Sequence, residues 1–336
     1  MNKIAIFSFF SFLILFSCRE KDPFIRLNGS TQGTSYSIIC ERKHGLNERK
    51  LNRGISDILT RIDNSLSVYN NSSLISRINR NEDVSADRYF TEVFNLSREI
   101  SDMTGGAFDI TVGPLVRAWG FGPEERAKFD TTKLDSLKQL VGYRKVKLEN
   151  GRVIKERPEI MLDVNAIAQG YTVDVIGRYF DSLGVENYLI EVGGEVKVKG
   201  TKGGRLWRLG IDRPYENNLF PGADLQAVIE LKDRALATSG NYRKFYEENG
   251  VKFSHTIDPH TGYPARSRLL SATILSKECA VADAVATASM VMGLEKTIEF
   301  LESHPEFEAF LIYSDSSGYF RTWASKTLKA SITEEN

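Results

Sequence analysis

The chain has 336 residues, 41% hydrophobic and 26% charged, with 44 basic side chains against 44 acidic ones. That length allows one large core or two fused lobes, and a formal net charge of zero excludes the basic excess of a dedicated nucleic-acid binder. Proline is sparse, at 9, and no repeat, low-complexity tract or Pro/Gly/Ser-rich linker divides the chain, so a single bilobed globule is expected.

The N-terminus reads differently from the rest. Lys3 precedes an apolar run over residues 4–16 that ends in Leu15-Phe16-Ser17-Cys18. The run suits the core of an export signal and is too short to span a bilayer. Its end resembles a lipobox, which makes residues 1–17 a lipoprotein signal peptide and Cys18 the lipidated (palmitate-bearing) residue. The alternative is an ordinary secretory signal with an incidental cysteine. Residues 18–26 follow as a tether and residues 27–330 as the folded domain. Cys40 and Cys279 are too few for a disulfide framework and read as small buried hydrophobes.

Within residues 26–41, Gly33 marks a turn and the alternation after it a strand. Leu51, Ile55, Ile58, Leu59 and Ile62 recur at helical spacing over residues 48–66. Tyr69 lies in the stretch that follows, and residues 72–79 are polar with turn chemistry. A second amphipathic helix covers residues 89–103. Then come Thr104-Gly105-Gly106-Ala107-Phe108-Asp109 and Trp119-Gly120-Phe121-Gly122, paired glycines with aromatics and an acid that suggest backbone shaped around a bound group. Trp119 and Phe121 can either stack on a planar ring or fill core. Residues 124–140 read as a polar linker and short helix, and residues 146–148, 153–155 and 160–162 as short strands.

Residues 163–171 cross from strand into a helix that runs to residue 183, and a helix N-terminus is a ready anion site. Residues 188–192, 196–199, 206–211 and 227–231 read as closely spaced strands of one largely antiparallel sheet. Residues 236–242 form a strand-to-turn element dense in small hydroxyls. Ser254-His255-Thr256-Ile257-Asp258-Pro259-His260-Thr261-Gly262-Tyr263-Pro264 holds two of the four histidines, an acid and two prolines in one loop. His255 and Asp258 there are candidate catalytic groups, against the alternative of structural roles. A strand at residues 269–275 feeds a small-residue helix over residues 280–293, and residues 294–302, 309–313 and 319–323 complete the fold. On that helix Asp283 and Thr287 share one face. A carboxylate among so many apolar side chains needs a partner: a Lys, an Arg, a backbone donor, or a divalent cation such as Mg2+, which takes oxygen ligands.

Together these segments resemble one family, the FAD:protein FMN transferases or ApbE family of flavin-trafficking lipoproteins. The resemblance rests on residues 32–36, 104–115, 119–122, 163–174, 193–195, 237–242, 254–264 and 282–293. It implies an α+β fold with a largely antiparallel or mixed sheet core and flanking helices. It also implies a Mg2+-dependent flavin transferase that moves FMN from FAD to a threonine hydroxyl through a phosphoester bond, releasing AMP. By that resemblance Ala166 (through its carbonyl), Asp283 and Thr287 hold the metal. Gln32, Tyr69, Ala107, Phe108, Asp109, Gln169 and Ile257 contact FAD, and His255 and Asp258 activate the acceptor hydroxyl or arrange the phosphates. The chain departs from the family pattern at Gln32, where Met is common, at Gln169, where Lys is common, and at Glu195, where Asp is common. Glutamine donates a hydrogen bond but neutralises no charge.

The partners implied are FAD and a threonine-bearing acceptor flavoprotein, a subunit of a membrane redox complex. The setting implied is export with a lipid anchor in a bacterial membrane, facing the periplasm. The competing functions are a Mg2+-dependent FAD pyrophosphatase giving free FMN and AMP, and a non-catalytic FAD-binding lipoprotein.

Overall fold

The computed structural model describes residues 22–123, 129–215, 218, 222–241, 245–248 and 251–335. The expected export signal at residues 1–17, Cys18 and Tyr242 lie outside them. The chain opens with β1 (Phe24–Thr31) and β2 (Thr34–Glu41), a hairpin closed by Gln32 (φ 50°) and Gly33 (φ 71°). Positive φ at both positions is what a two-residue type I′ turn demands.

Helices α1 (Glu48–Leu66), α2 (Leu74–Asn79) and α3 (Arg88–Met103) follow. Each starts where a side-chain oxygen accepts from the amide three residues on: Asn47 from Lys50, Ser73 from Ser76, Asp87 from Phe90. Such caps satisfy amides that lack a helical partner. The segment expected as a polar turn at residues 72–79 is therefore largely α2, capped by Ser73 and anchored by buried Ile75 and Ile78.

Next come α4 (Gly113–Ala118), α5 (Leu134–Lys138) and a hairpin of β3 (Val146–Glu149) with β4 (Arg152–Lys155). Residues 160–162 do not form the expected strand, although Ile160 and Leu162 are buried. Asn79 explains this: its Oδ1 accepts from Leu162 N at 2.7 Å and its Nδ2 donates to Leu162 O at 2.8 Å. One amide side chain supplies the donor and acceptor that a neighbouring strand would have offered.

The second half contains α6 (Asn165–Ser182), β5 (Tyr188–Val192), β6 (Glu195–Lys199), β7 (Trp207–Asp212), β8 (Leu225–Leu231), β9 (Arg234–Gly240), β10 (Phe245–Glu248), β11 (Val251–Ser254), β12 (Leu269–Ser276), α7 (Cys279–Ser303), β13 (Glu308–Ser314), β14 (Phe320–Ala324) and β15 (Ile332–Glu334). Among the described residues, eight strands pair in the order β1-β2-β5-β6-β9-β12-β13-β14, antiparallel at each junction.

Side chains alternate across this sheet, and both faces are apolar. Ile38, Ile190, Val192, Ala272, Ile274 and Leu311 cluster with residues of α1, α6 and α7. Val196, Val198, Leu236, Leu275, Phe310 and Ile312 cluster instead with Trp207, Ile211, Ala227 and Ile229. Two apolar faces need two covers, and the second is a separate sheet of order β15-β8-β7. Residues 206–211 and 227–231 thus form this outer layer rather than continuing the main sheet. The result is the α+β, antiparallel architecture expected from the sequence.

Helix α7 is two helices joined at Gly293, whose φ of 76° and ψ of 178° are non-helical. Cys40 and Cys279 are both buried and unbridged, and burial raises both thiols, Cys40 to about 11. Among the described residues no helix is long and apolar enough to cross a membrane.

Candidate active site

The first half of α7 is built from small residues: Ala280, Ala282, Ala284, Ala286 and Ala288 are all buried. They let α6 and α7 meet at backbone distance. At Gly170 the contact is so close that an added Cβ would stand 2.5 Å from Cys279 O and 2.8 Å from Asp283 Cβ. Across this contact Gly170 N donates to Asp283 Oδ2 at 3.0 Å, so the buried carboxylate, 6% exposed, meets a backbone donor. In a regular α-helix the carbonyl four residues earlier, that of Ala166, would face that same amide. One turn further along α7, Thr287 Oγ1 lies 3.2 Å from Ser239 Oγ of β9.

The seat of α7 is fixed from below. Its N-cap residue, Glu278, makes no side-chain cap, and Asp174 of α6 does that work. Asp174 accepts from Cys279 N at 3.0 Å, from Ala280 N at 2.9 Å and from Lys197 Nζ at 2.7 Å. Burial pushes its carboxyl up to about 6, while the Lys197 ammonium pulls it down.

The other predicted residues gather around the start of α6. Gln32 Nε2 donates to Thr172 Oγ1 at 2.7 Å, and Thr172 Oγ1 donates to Ala168 O at 2.7 Å. The Gln169 amide packs against the 193–194 turn: a Cβ on Gly193 would lie 2.6 Å from Gln169 Nε2 and 3.0 Å from Thr34 Cγ2. Asp163 Oδ1 accepts from Asn165 N at 2.9 Å, and Asp163 N donates to Ile110 O at 2.7 Å, which ties the start of α6 to the glycine-rich loop. Burial raises the Asp163 carboxyl. Tyr69 is 61% exposed, and burial of its phenol oxygen and then the nearby Asp163 charge raise its pKa.

Ala107, Phe108 and Asp109 are buried. Asp109 serves its own loop: Oδ1 accepts from Thr111 N at 2.7 Å and Thr111 Oγ1 at 2.6 Å, and Oδ2 from Tyr143 N at 2.8 Å. Burial raises its carboxyl against these bonds.

Residues 254–264 form a tight loop. Asp258 N donates to Tyr263 O at 2.9 Å, Gly262 N to Asp258 O at 2.8 Å and Ala265 N to Thr256 O at 2.8 Å. Ile257 is buried with Leu115 and Trp119, and Trp119 Nε1 donates to Gly262 O at 2.8 Å. Trp119 thus fills core and braces this loop, the second of the two roles its sequence allowed. His255 is half-buried and meets the Phe121 ring edge-on, centroids 6.4 Å apart. The Asp258 carboxylate is committed within its loop: it accepts from His260 N at 2.9 Å and from Thr261 Oγ1 at 2.9 Å.

The structure thus joins Ala166, Gln169, Asp283 and Thr287 with Gln32 around the start of α6, and a second group on loops 104–112 and 254–264. Sequence reasoning gave no individual role to Gly170, Asp174, Thr172 or Ser239. A glycine inside a helix costs stability relative to alanine, and that cost was the one signal for Gly170.

The donor set suits Mg2+. Asp283, Thr287 and the Ala166 carbonyl offer oxygen alone, and Mg2+ takes one or two carboxylates with substrate phosphates completing its shell.

Residues 32–311 match the ApbE family. A FAD:protein FMN transferase of Vibrio cholerae is 35% identical over 331 residues, covering 96% of this chain and 97% of that protein. One of Haemophilus influenzae is 32% identical over 338 residues, covering 96% of each. The solved structure of the flavin transferase ApbE from Vibrio cholerae superposes with a TM-score of 0.83 at 35% identity, covering 92% of this chain and 99% of that one.

Proposed function

Because the chain belongs to the ApbE family, we propose that it is a FAD:protein FMN transferase. The observation that carries the reading is the buried Asp283 carboxylate, held at 3.0 Å by the Gly170 amide and followed one turn later by Thr287. A protein that merely stored FAD has no need to hold a cation, which is what Asp283 and Thr287 with the Ala166 carbonyl would do.

In the proposed reaction a threonine hydroxyl of an acceptor flavoprotein attacks the FMN-side phosphorus of FAD. The Thr Oγ–P bond forms, the P–O bond to AMP breaks, and the hydroxyl proton passes to a base. His255 is that base: an imidazole accepts a proton near neutral pH, and Phe121 fixes its ring edge-on. Asp258 orders the loop that presents His255. Asp283, Thr287 and the Ala166 carbonyl would hold Mg2+, which supplies charge neutralisation on the pyrophosphate oxygens. Gln32 and Gln169 offer amide hydrogen bonds to the bound nucleotide, and Tyr69 an exposed ring at its edge. Ala107, Phe108 and Ile257 are buried and shape the site from behind, with Asp109 bracing their loop.

The same proposal places the protein outside the cytoplasm, anchored to a membrane facing the periplasm by lipid on Cys18, beside an acceptor in a membrane redox complex. The test is to incubate the protein with FAD, Mg2+ and a threonine-bearing acceptor domain, then look for flavin fluorescence on a denaturing gel. An acceptor band that EDTA abolishes supports the transferase. Free FMN and AMP without a band make it a pyrophosphatase, and FAD bound but unchanged makes it a carrier.

A further inference from the structure

We propose that His260 is a positioning residue that clamps the 254–264 loop to the glycine turn at residues 104–106. The role assigned to the clamp, setting His255 against the flavin-side loop, rests on the function proposed above. The clamp itself rests on geometry alone.

His260 Nε2 lies 3.1 Å from Gly105 O, and His260 Nδ1 lies 3.3 Å from Asp258 Oδ1. The same carboxylate oxygen accepts from His260 N at 2.9 Å, and Asp258 Oδ2 accepts from Thr261 Oγ1 at 2.9 Å. A carbonyl oxygen has no proton to give, and neither has an ionised carboxylate. The bond that crosses between the loops is therefore Nε2–H to Gly105 O, while Asp258 holds the ring from its own loop.

The glycine turn is shaped to receive the ring. Gly105 and Gly106 both have positive φ, 59° and 84°, a conformation that glycine adopts without penalty. A Cβ on Gly106 would stand 3.4 Å from His260 Nε2 and 3.6 Å from Tyr143 Cε1, so the bare backbone lets the ring sit against it. The groups facing His260 are Asp258 on its own loop and, across the contact, Asp109 and the Tyr143 phenol. The phenol donates to Asp102 Oδ1 at 2.7 Å, where Arg144 also binds. Lys138 packs on Gly262 of the same loop. Burial raises the Asp109 carboxyl, and the positive field of His260 is among the influences pulling it down. His260 ties together the two loops that carry His255 and Phe108.

Two measurements on the full protein test this. The first is 1H–15N NMR of the histidine side chains, assigned through His260→Ala. Nε2 of His260 should carry a proton, and a ring without one there overturns the clamp. The second is FAD affinity, by flavin fluorescence. His260→Ala, which loses the bond to Gly105 O, should bind FAD about tenfold more weakly, in keeping with one hydrogen bond. His260→Arg, which still has donors to offer that carbonyl, should restore most of the affinity. A His260→Ala protein with wild-type affinity overturns the positioning role. Wild-type protein that fails to bind FAD overturns the function proposed above instead, and the NMR measurement still decides the clamp.

Discussion

The amide of Gly170 donates to the carboxylate of Asp283 across 3.0 Å, from one helix to another. The contact exists because Gly170 has no Cβ, and because the alanines of α7 bring that helix down onto α6. Position 170 thus governs where the Asp283 carboxylate stands.

Gly170→Ala should be costly. Its methyl would meet the Cys279 carbonyl oxygen at 2.5 Å, and backbone cannot rotate away as a side chain can. Overpacking of this kind costs about 1–3 kcal/mol, to be read by chemical denaturation. The Mg2+ concentration for half-maximal transfer should rise at the same time. A variant with unchanged stability and metal requirement would contradict the helix contact described here.

Asp283→Asn keeps an oxygen for the Gly170 amide but removes the charge. The fold should survive and flavin transfer should fall by about 100-fold or more, in keeping with the loss of one electrostatic contribution at a reacting centre. Activity in EDTA should be as low for the wild type as for the variant in Mg2+. Full turnover by Asp283→Ala would remove Asp283 from the metal site.

Asn79 holds buried Leu162 by two bonds, of 2.7 and 2.8 Å. Asn79→Ala leaves a buried N–H and a buried carbonyl without partners, at about 1–3 kcal/mol each. Urea unfolding measures the loss, and a change under 0.5 kcal/mol, about the noise of surface substitutions, would show that water takes over both bonds.

Lys155 gives a pH signature. Burial lowers its ammonium from 10.5 to about 8, although Nζ donates to Ile78 O at 2.8 Å and Asn81 Oδ1 at 3.0 Å. Between those two values the unfolded chain still holds a proton that the folded chain has released, so stability rises with pH there. The wild type should gain on Lys155→Met between pH 8 and 10.5 and not between pH 6 and 7.5. Parallel stability curves over both ranges would refute the shift.

Much of this fold was legible because the signals are local. Leu51, Ile55 and Ile62 mark α1 by spacing, and Gly33 marks the first turn by its backbone freedom, while the positive φ of Gln32 beside it had no such signal. Residues 160–162 misled because burial and apolar character are shared by strands and by coil held from outside, and Asn79 stands far away in sequence. The layering misled for a related reason: β7 and β8 alternate like members of the main sheet, and only the apolar outer face of that sheet calls for a cover. In the site, residue types at Asp283, Thr287 and His255 announced chemistry. Gly170 and Asp174 act through where they place other groups, and a side chain's type carries no record of what lies across a helix interface.

The site also dictates when it can exist. Gln32 reaches Thr172 across 140 positions of the chain, and Gly170 reaches Asp283 across 113. Contacts so distant in sequence are slow to form, because the intervening chain must be ordered before they are rewarded. No N-terminal fragment emerging from a ribosome contains a working half of the centre. Thr287 must be made before the helix pair can close, so the proposed nucleotide site should be absent from truncated or stalled chains.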